Sequence, residues 1–196
     1  MVTSDQPAAV KAIMRREMVA RRDALPRDER IAAAETIASR GLPIAIAPGS
    51  VVSGFFPLNS EVDPRPLMRK LAEAAARFAL PVVAGRGKPL VMRAWAFGDP
   101  LVAGVWGIRV PRDDAAAVDP DVLIVPLLAF DRRGFRLGYG AGYYDMTLAA
   151  LRAKKPITAI GIGFAAQEVP EVPTTPRDAR LDLMLTEREA IDFRSS

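Results

Sequence analysis

The sequence predicts an α/β layered fold with a largely parallel sheet. Short apolar segments alternate with helical segments along most of the chain, which is typical of strands joined by crossover helices. The most apolar segment, residues 121 to 130, has the continuous hydrophobicity of a strand buried at the centre of such a sheet. A chain of 196 residues can bury one full core, so we expect a single domain over residues 1 to 196.

The first element is an amphipathic helix over residues 7 to 24. Apolar residues recur there at helical spacing, and a second face is basic. The apolar residues are Val10, Ile13, Met14 and Met18. The basic residues are Lys11, Arg15 and Arg22.

A second helix should follow Pro26, a favourable residue for a first turn, and end at Gly41, a favourable C-terminal cap. The next predicted elements are a buried strand at 51 to 56, a turn-rich loop (PLNSEVDP) at its carboxyl end, and a helix over 64 to 77.

The alternation continues to the end of the chain. Further strands are predicted at 79 to 84, 91 to 97, 121 to 130, 157 to 164 and 181 to 187. A helix is predicted over 141 to 153, and the proline-rich segment 169 to 178 is expected to be an ordered surface loop.

Composition excludes several kinds of chemistry. The chain has no cysteine and no histidine, which removes disulfides, thiolate nucleophiles, serine–histidine triads and histidine metal ligands. A net charge of +4 favours anionic ligands without choosing among them. The charged N-terminus lacks a secretory signal and the uncharged stretch 41 to 60 is broken by prolines, so we expect a cytoplasmic protein that does not enter a membrane.

The segment RLGYGAGYYD, residues 136 to 145, spaces three glycines at alternate positions between an arginine and two tyrosines. The glycines could serve only a tight turn from strand to helix. Bare backbone beside a helix start and a guanidinium is also suited to binding phosphate. The segment matches neither the Walker loop nor the dinucleotide fingerprint.

The longer run LLAFDRRGFRLGYGAGYYD resembles the signature of the 5-formyltetrahydrofolate cyclo-ligases. The resemblance extends to the pair Lys11 and Arg15, to FFPLNSEVD with Glu61, and to VPEVPTTPRDARLD, and so covers residues 10 to 187. It implies a three-layer α/β/α sandwich related to isomerase and CoA-transferase-like folds, with its core at about residues 8 to 188.

The resemblance implies an ATP- and Mg²⁺-dependent conversion of 5-formyltetrahydrofolate to 5,10-methenyltetrahydrofolate with release of ADP and phosphate. The formyl oxygen would take the γ-phosphoryl group, N10 would close the ring, and phosphate would leave. The reacting groups belong to the substrates, so the protein would supply positioning and charge neutralisation. We expect a monomer whose partners are these small molecules, with no nucleic acid.

Site residues are assigned by the same resemblance. The ATP-binding residues would be Lys11, Arg15, Arg136, Leu137, Gly138, Tyr139, Gly140, Ala141, Gly142, Tyr143 and Tyr144. The folate-binding residues would be Phe56, Glu61, Tyr139, Gly140, Gly142 and Tyr143. Arg136 and Tyr144 would be catalytic, and Asp145 and Asp182 would bind the metal.

Simpler roles remain open for some of these residues. Lys11 and Arg15 could form a solvated basic face, Arg136 could be a surface arginine in a turn, and Phe56 and one of the two tyrosines could be core residues. Asp145 also suits a helix start, where the dipole favours a carboxylate.

Three residues depart from the pattern of the resembled family. Met146 stands where arginine is very common, Ala141 where some members have lysine, and Val110 where glutamate is common. These departures affect the expected substrate affinity more than the reaction. The rival hypotheses are a nucleotide- or folate-binding protein without turnover, a sugar-phosphate isomerase or acyl-transfer enzyme on a related scaffold, and an RNA-binding protein.

Overall fold

The computed structural model describes residues 6–194 and contains a seven-stranded sheet with helices on both faces. The helices are α1 (Gln6–Asp23), α2 (Arg27–Arg40), α3 (Arg65–Glu73) and α4 (Tyr143–Arg152). The strands are β1 (Val51–Ser53), β2 (Arg77–Val82), β3 (Val91–Trp95), β4 (Leu101–Ala103), β5 (Arg109–Pro111), β6 (Val122–Val125), β7 (Ala129–Phe130), β8 (Arg136–Leu137), β9 (Thr158–Ile162), β10 (Leu183–Leu185) and β11 (Ala190–Asp192).

The main sheet has the order β11-β10-β9-β6-β1-β2-β3 and is largely parallel. The five inner strands pair in parallel, and the two edge strands β3 and β11 pair antiparallel to their neighbours. Two short hairpins, β4–β5 and β7–β8, lie outside this sheet. The α/β class and the mostly parallel sheet predicted from the sequence are therefore confirmed.

Successive residues along the inner strands pack against opposite helical layers. Val52 and Ile124 belong to the core beneath α2 and α3, whereas Val51 and Leu123 belong to the core beneath α4. All four side chains are buried, as expected for a parallel sheet covered on both faces. These two cores give the three layers of an α/β/α sandwich.

Several predicted strands are shorter in the structure. The strand predicted at 121 to 130 is divided, because Pro126 has no N–H to continue the central ladder, and the chain leaves the sheet before β7. The strand predicted at 51 to 56 ends at Ser53, and the one predicted at 181 to 187 covers only Leu183–Leu185. Gly41 does cap α2, with its N–H donating to the carbonyl of Ile37 at 3.0 Å.

Helix α1 does not cover the main sheet and packs instead against the β7–β8 hairpin. Met14 and Met18 contact a small core that contains Leu128 and Leu137. Val10 and Ile13, predicted to face the interior, are each 49% exposed. The face of α1 that packs inward therefore differs from the predicted apolar face, because it includes the cations Lys11, Arg15 and Arg22.

Within residues 6–194, no helix combines the length and the apolar character needed to cross a lipid bilayer.

The end of β1 depends on Gly54, because α3 passes directly over it. A Cβ at Gly54 would lie 2.3 Å from Sδ of the fully buried Met68. We expect Gly54→Ala to lower the free energy of unfolding by about 1–3 kcal/mol, measured by urea denaturation. Gly138→Ala is the control, because a Cβ there meets nothing within 4 Å in the described part of the chain, and its loss should stay below about 0.5 kcal/mol. Equal losses would contradict this account.

Candidate functional site

The candidate site lies where the strand order of the sheet reverses. The chain leaves β1 through α3 towards β2 on one side, and leaves β6 through α4 towards β9 on the other. The carboxyl ends of β1 and β6 are neighbours, so the segments 54–64 and 126–142 flank one crevice. Ligands of open α/β sheets bind at such a position.

The glycine loop, residues 138–142, joins β8 to α4 on one side of this crevice. Gly140 and Gly142 adopt φ values of 105° and 70°, which non-glycine residues rarely adopt, and Gly142 lies immediately before the helix. The glycines therefore do serve a tight turn. The same turn leaves Gly140 and Ala141 exposed at the start of α4, with no side chain larger than a methyl group on either.

Arg15 of α1 lies directly against the glycine loop. Its Nε donates a hydrogen bond to the carbonyl of Gly138 at 2.9 Å, and its Cζ is 3.2 Å from the position of a Cβ on Gly140. A side chain at 140 would crowd this guanidinium and would also be strained by the positive φ. Its Nη atoms have no hydrogen-bond partner within residues 6–194.

Lys11, one turn earlier on α1, is paired with Asp178. Its Nζ donates to the two carboxylate oxygens at 2.8 and 2.7 Å. Burial acts to raise the pKa of Asp178, but the hydrogen bonds from Lys11 and Thr175 hold that pKa below its ordinary value. The two predicted cations of α1 thus face the interior of the molecule and are not a solvated surface.

Arg136 is buried beneath the loop, with only 3% of its side chain exposed. Its Nη2 donates to Oδ1 of Asp145 at 2.9 Å, and its Nη1 donates to the carbonyl of Ala179 at 2.7 Å. The N–H of Ala179 also donates to Oδ1 of Asp145 at 2.9 Å. Burial lowers the pKa of Arg136, and the charge of Asp145 acts in the opposite direction. Arg136 therefore joins the start of α4 to the segment before β10.

Glu61 faces the glycine loop from the segment that follows β1. Its Oε1 accepts a hydrogen bond from the Tyr139 hydroxyl, and its Oε2 accepts one from the N–H of Leu58 at 2.7 Å. Burial raises the pKa of Glu61, whereas the two hydrogen bonds and the charge of Arg22 act to lower it. Burial also raises the pKa of Tyr139, which keeps its hydroxyl protonated as a donor.

The two tyrosines at the start of α4 have different surroundings. The ring of Tyr144 packs against the core beneath α4, and burial raises its pKa, so the hydroxyl stays protonated. Tyr143 lies beside the crevice, with its ring 6.2 Å from that of Trp106 at the tip of the β4–β5 hairpin. Trp106 is 64% exposed.

The side chains of some predicted site residues do not line the crevice. The side chain of Leu137 is buried in the core beneath α1, and its carbonyl accepts from the N–H of Leu128. Phe56 packs edge-on against Trp95 at 5.7 Å, which is the core role left open above. Ala141 is an exposed residue of the loop, and Val110 is buried in the β4–β5 hairpin.

Asp182 lies at the opposite end of α4 from Asp145. It accepts hydrogen bonds from Arg152 at 2.9 Å and from the N–H of Ala159 at 2.7 Å, at the amino ends of β9 and β10. Parallel strands place their amino ends at the edge away from the crevice, so the predicted metal role of Asp182 has no geometric support.

Three residues of the site were missed in the sequence. Arg22 bonds Tyr139, Asp178 bonds Lys11, and Trp106 flanks Tyr143. Arg22 could have been found, because Lys11, Arg15, Met18 and Arg22 follow one another at spacings of four, three and four residues on one helical stripe. Asp178 and Trp106 carry no such local signal.

Comparisons with known proteins show the family of the chain. The sequence profile of the 5-formyltetrahydrofolate cyclo-ligase family matches residues 7–187. A 5-formyltetrahydrofolate cyclo-ligase of Mycolicibacterium smegmatis is 32% identical over 191 residues, covering 92% of this chain and 95% of that protein. One of Escherichia coli strain K12 is 33% identical over 150 residues, covering 74% and 80%.

Solved structures show the same architecture. The NMR structure of Aquifex aeolicus 5,10-methenyltetrahydrofolate synthetase superposes with a TM-score of 0.77 at 26% identity, covering 95% of this chain and 94% of that one. The Mycoplasma pneumoniae 5,10-methenyltetrahydrofolate synthetase superposes with a TM-score of 0.70, covering 90% and 98%, and at 20% identity it supports the fold alone.

The buried pair of Arg136 and Asp145 should contribute to stability. Arg136→Met leaves Asp145 without its cation, so we expect a loss of about 2–4 kcal/mol in the free energy of unfolding, measured by urea denaturation. Arg152→Met removes the Asp182 pair at the other end of α4, where 33% and 27% of the side chains are exposed, and should cost less than about 1 kcal/mol. A smaller loss for Arg136→Met than for Arg152→Met would refute the structural role of Arg136.

Proposed function

The chain belongs to the 5-formyltetrahydrofolate cyclo-ligase family, and we propose that this enzyme converts 5-formyltetrahydrofolate to 5,10-methenyltetrahydrofolate with ATP and Mg²⁺. The observation that carries the proposal is the meeting of the glycine loop with Glu61 across one crevice, where the Tyr139 hydroxyl donates to the Glu61 carboxylate. The glycine loop, suited to a polyphosphate, thus lies next to the Glu61 carboxylate, which can accept hydrogen bonds from a pterin.

The nucleotide side of the crevice consists of the glycine loop, the start of α4 and Arg15. The exposed backbone at residues 140 and 141 can approach phosphate oxygens without a clash from side chains. The guanidinium of Arg15 lies over Gly140, and its Nη groups can donate to the same oxygens in a fork. We therefore assign to Arg15 the phosphate contact that the sequence suggested for Arg136, whose Nη groups already bond Asp145 and Ala179.

The folate side of the crevice is centred on Glu61. An ionised carboxylate accepts hydrogen bonds on two oxygens, and each oxygen has two acceptor positions. Tyr139 and Leu58 use one position on each oxygen, so both oxygens can still accept from the N–H groups of a pterin. The exposed ring of Trp106 and the half-buried ring of Tyr143 provide apolar surface for the flat parts of either substrate.

The reaction needs no nucleophile from the protein. The formyl oxygen attacks the γ-phosphorus and ADP leaves, which activates the formyl carbon. N10 then attacks that carbon and loses its proton, and phosphate departs with the former formyl oxygen. The protein contributes alignment of the two substrates and donors to the phosphoryl oxygens, which agrees with its lack of histidine and cysteine.

A magnesium ion fits the site through Asp145. Oδ1 of Asp145 is engaged by Arg136 and Ala179, whereas Oδ2 has no partner in residues 6–194. No group of three or more carboxylates converges anywhere in that described range, so the ion would rely on phosphate and water for most of its ligands, as magnesium commonly does. When bound, it would neutralise charge on the phosphates.

The first test is turnover itself. We expect the purified protein to form 5,10-methenyltetrahydrofolate from 5-formyltetrahydrofolate only when ATP and Mg²⁺ are both present, measured by the absorbance of the product. Arg15→Met should raise the KM for ATP by about tenfold to a hundredfold, because a charged hydrogen bond to phosphate is lost. Folded protein that binds folate and ATP but forms no product would refute the proposed activity.

Arg16→Met is the matched control for this test. Arg16 is the next residue of α1 and is exposed, so its loss changes the same charge without touching the glycine loop. Its KM for ATP should stay within about twofold of wild type, because an exposed cation contributes little. An equal rise in both variants would mean that Arg15 acts only through net charge.

The second test concerns the metal. Asp145→Asn should raise the Mg²⁺ concentration needed for half-maximal activity by at least about tenfold, because a neutral amide replaces the proposed ligand. Asp182→Asn should leave that concentration unchanged and cost only stability, because Asp182 lies with Arg152 at the far end of α4. A raised Mg²⁺ requirement in Asp182→Asn would instead support the metal role that the sequence predicted for Asp182.

A further inference from the structure

Arg22 is the most deeply buried cation of α1. Only 2% of it is exposed, and fully buried arginines are rare unless their charge and hydrogen bonds are matched by partners. The neighbouring inward residue on the same stripe is the apolar Met18, so a cation is not the general rule for this face of α1. The partners of Arg22 therefore indicate what it is for.

The guanidinium of Arg22 contacts two different segments of the site. Its Nε donates to the hydroxyl of Ser60 at 2.9 Å, and its Nη1 donates to the hydroxyl of Tyr139 at 2.6 Å. Its Cζ lies 5.8 Å from the centre of the Tyr139 ring. The Ser60 hydroxyl in turn donates to Asp23, the residue after Arg22. The end of α1 is thereby joined to the segment after β1 and to the glycine loop.

The orientation of Tyr139 follows from this contact. A hydroxyl has one proton, and in Tyr139 the oxygen accepts from Arg22 while the proton is donated to Glu61. The order of donors is fixed, because a guanidinium cannot accept and a carboxylate cannot donate when ionised. Arg22 therefore determines which way the Tyr139 proton points and supplies positive charge one hydroxyl away from Glu61.

We propose that Arg22 is a positioning residue for folate binding, which aligns the Glu61 carboxylate through the Tyr139 hydroxyl and anchors the segment that carries Glu61 through its bond to Ser60. This inference rests on the proposed function, since Glu61 is assigned there to the pterin. Arg22 acts through the Tyr139 hydroxyl, which donates to Glu61, so its loss acts mainly on folate affinity. Lysine cannot replace it fully, because a single ammonium on a flexible stem lacks the rigid fork that reaches Ser60 and Tyr139 together.

The experiment measures KM for 5-formyltetrahydrofolate, KM for ATP and kcat in four variants. They are Arg22→Met, Tyr139→Phe, the double variant, and Arg21→Met as the control. Arg21 is the adjacent, exposed cation of the same helical turn and makes only a 3.4 Å contact to the carbonyl of Ala166. Arg22→Met and Arg21→Met therefore have the same net charge, and each removes one cation from the last turn of α1.

Arg22→Met should raise the KM for 5-formyltetrahydrofolate by about tenfold or more, with the KM for ATP and kcat within about threefold of wild type. Arg21→Met should match wild type. Adding Arg22→Met to Tyr139→Phe should raise the folate KM by less than about threefold, because the hydroxyl through which Arg22 acts is already gone. A general loss of structure would instead give additive effects, lower kcat and raise both KM values together.

The pH dependence of the folate KM gives an independent check. Glu61 is faced by Arg22 from α1, Tyr139 from the glycine loop, Tyr144 from α4 and the N–H of Leu58, with Asp23 reached through Ser60. Protonation removes acceptor positions from Glu61, so the folate KM should rise as the pH falls. Loss of the Arg22 charge raises the pKa of Glu61 further, so the rise should begin at a higher pH in Arg22→Met.

Failure of the inference and failure of the proposed function give different results. If wild type forms product and Arg22→Met keeps a wild-type folate KM, or the two substitutions are additive, the positioning role is overturned. If wild type forms no product, the proposed function fails, and the same four variants are compared by calorimetric titration with 5-formyltetrahydrofolate. Should Arg22→Met fail to fold, Tyr139→Phe alone tests the link, because Tyr139 is exposed, and an unchanged folate KM in that variant overturns the proposal.

Discussion

The site depends on two neighbouring parallel strands, β1 and β6, whose chains depart in opposite directions. Because α3 covers one face of the sheet and α4 the other, neither connection passes over the carboxyl ends of these strands. The segments after β1 and β6 therefore form the two walls of a crevice, with Glu61 on one wall and the glycine loop on the other. The bond between Tyr139 and Glu61 spans the crevice and ties the walls together.

Helix α1 adds the charge that this crevice needs. It lies outside the two main cores and is held by a small apolar cluster, so its polar contacts determine much of its placement. Each inward cation has a different partner: Lys11 bonds Asp178, Arg15 bonds the carbonyl of Gly138, and Arg22 bonds Ser60 and Tyr139. Desolvation of these charges is offset only when every partner is in place, which couples the position of α1 to the geometry of the loop.

Hydrophobic pattern was sufficient for the main helices, which repeat an apolar period, and for the presence of the inner strands, which are continuous apolar runs. It missed β4, β5, β8 and β11, each only two or three residues long, and it merged β7 with β6 into one strand. It also misjudged α1, where Val10 and Ile13 look like core positions and are half exposed. The apolar surface available to that helix is a small hairpin and not a sheet face, so a basic stripe could turn inward.

The sequence by itself determined the α/β class, the exclusion of histidine and cysteine chemistry, and the glycine loop with its flanking tyrosines and aspartate, because each of these is a property of composition or of a short contiguous run. Only the tertiary structure decided which distant groups meet. Ala179 bonds Asp145 at the first turn of α4 and Asp182 bonds Arg152 at the last, and the seven residues of helix between them cover about 10 Å, a distance that three residues of chain can span. Asp178 therefore lies with Lys11 near the glycine loop, while Asp182 lies at the far end of α4. The two aspartates are only four positions apart, and local sequence does not indicate which of them is near the site.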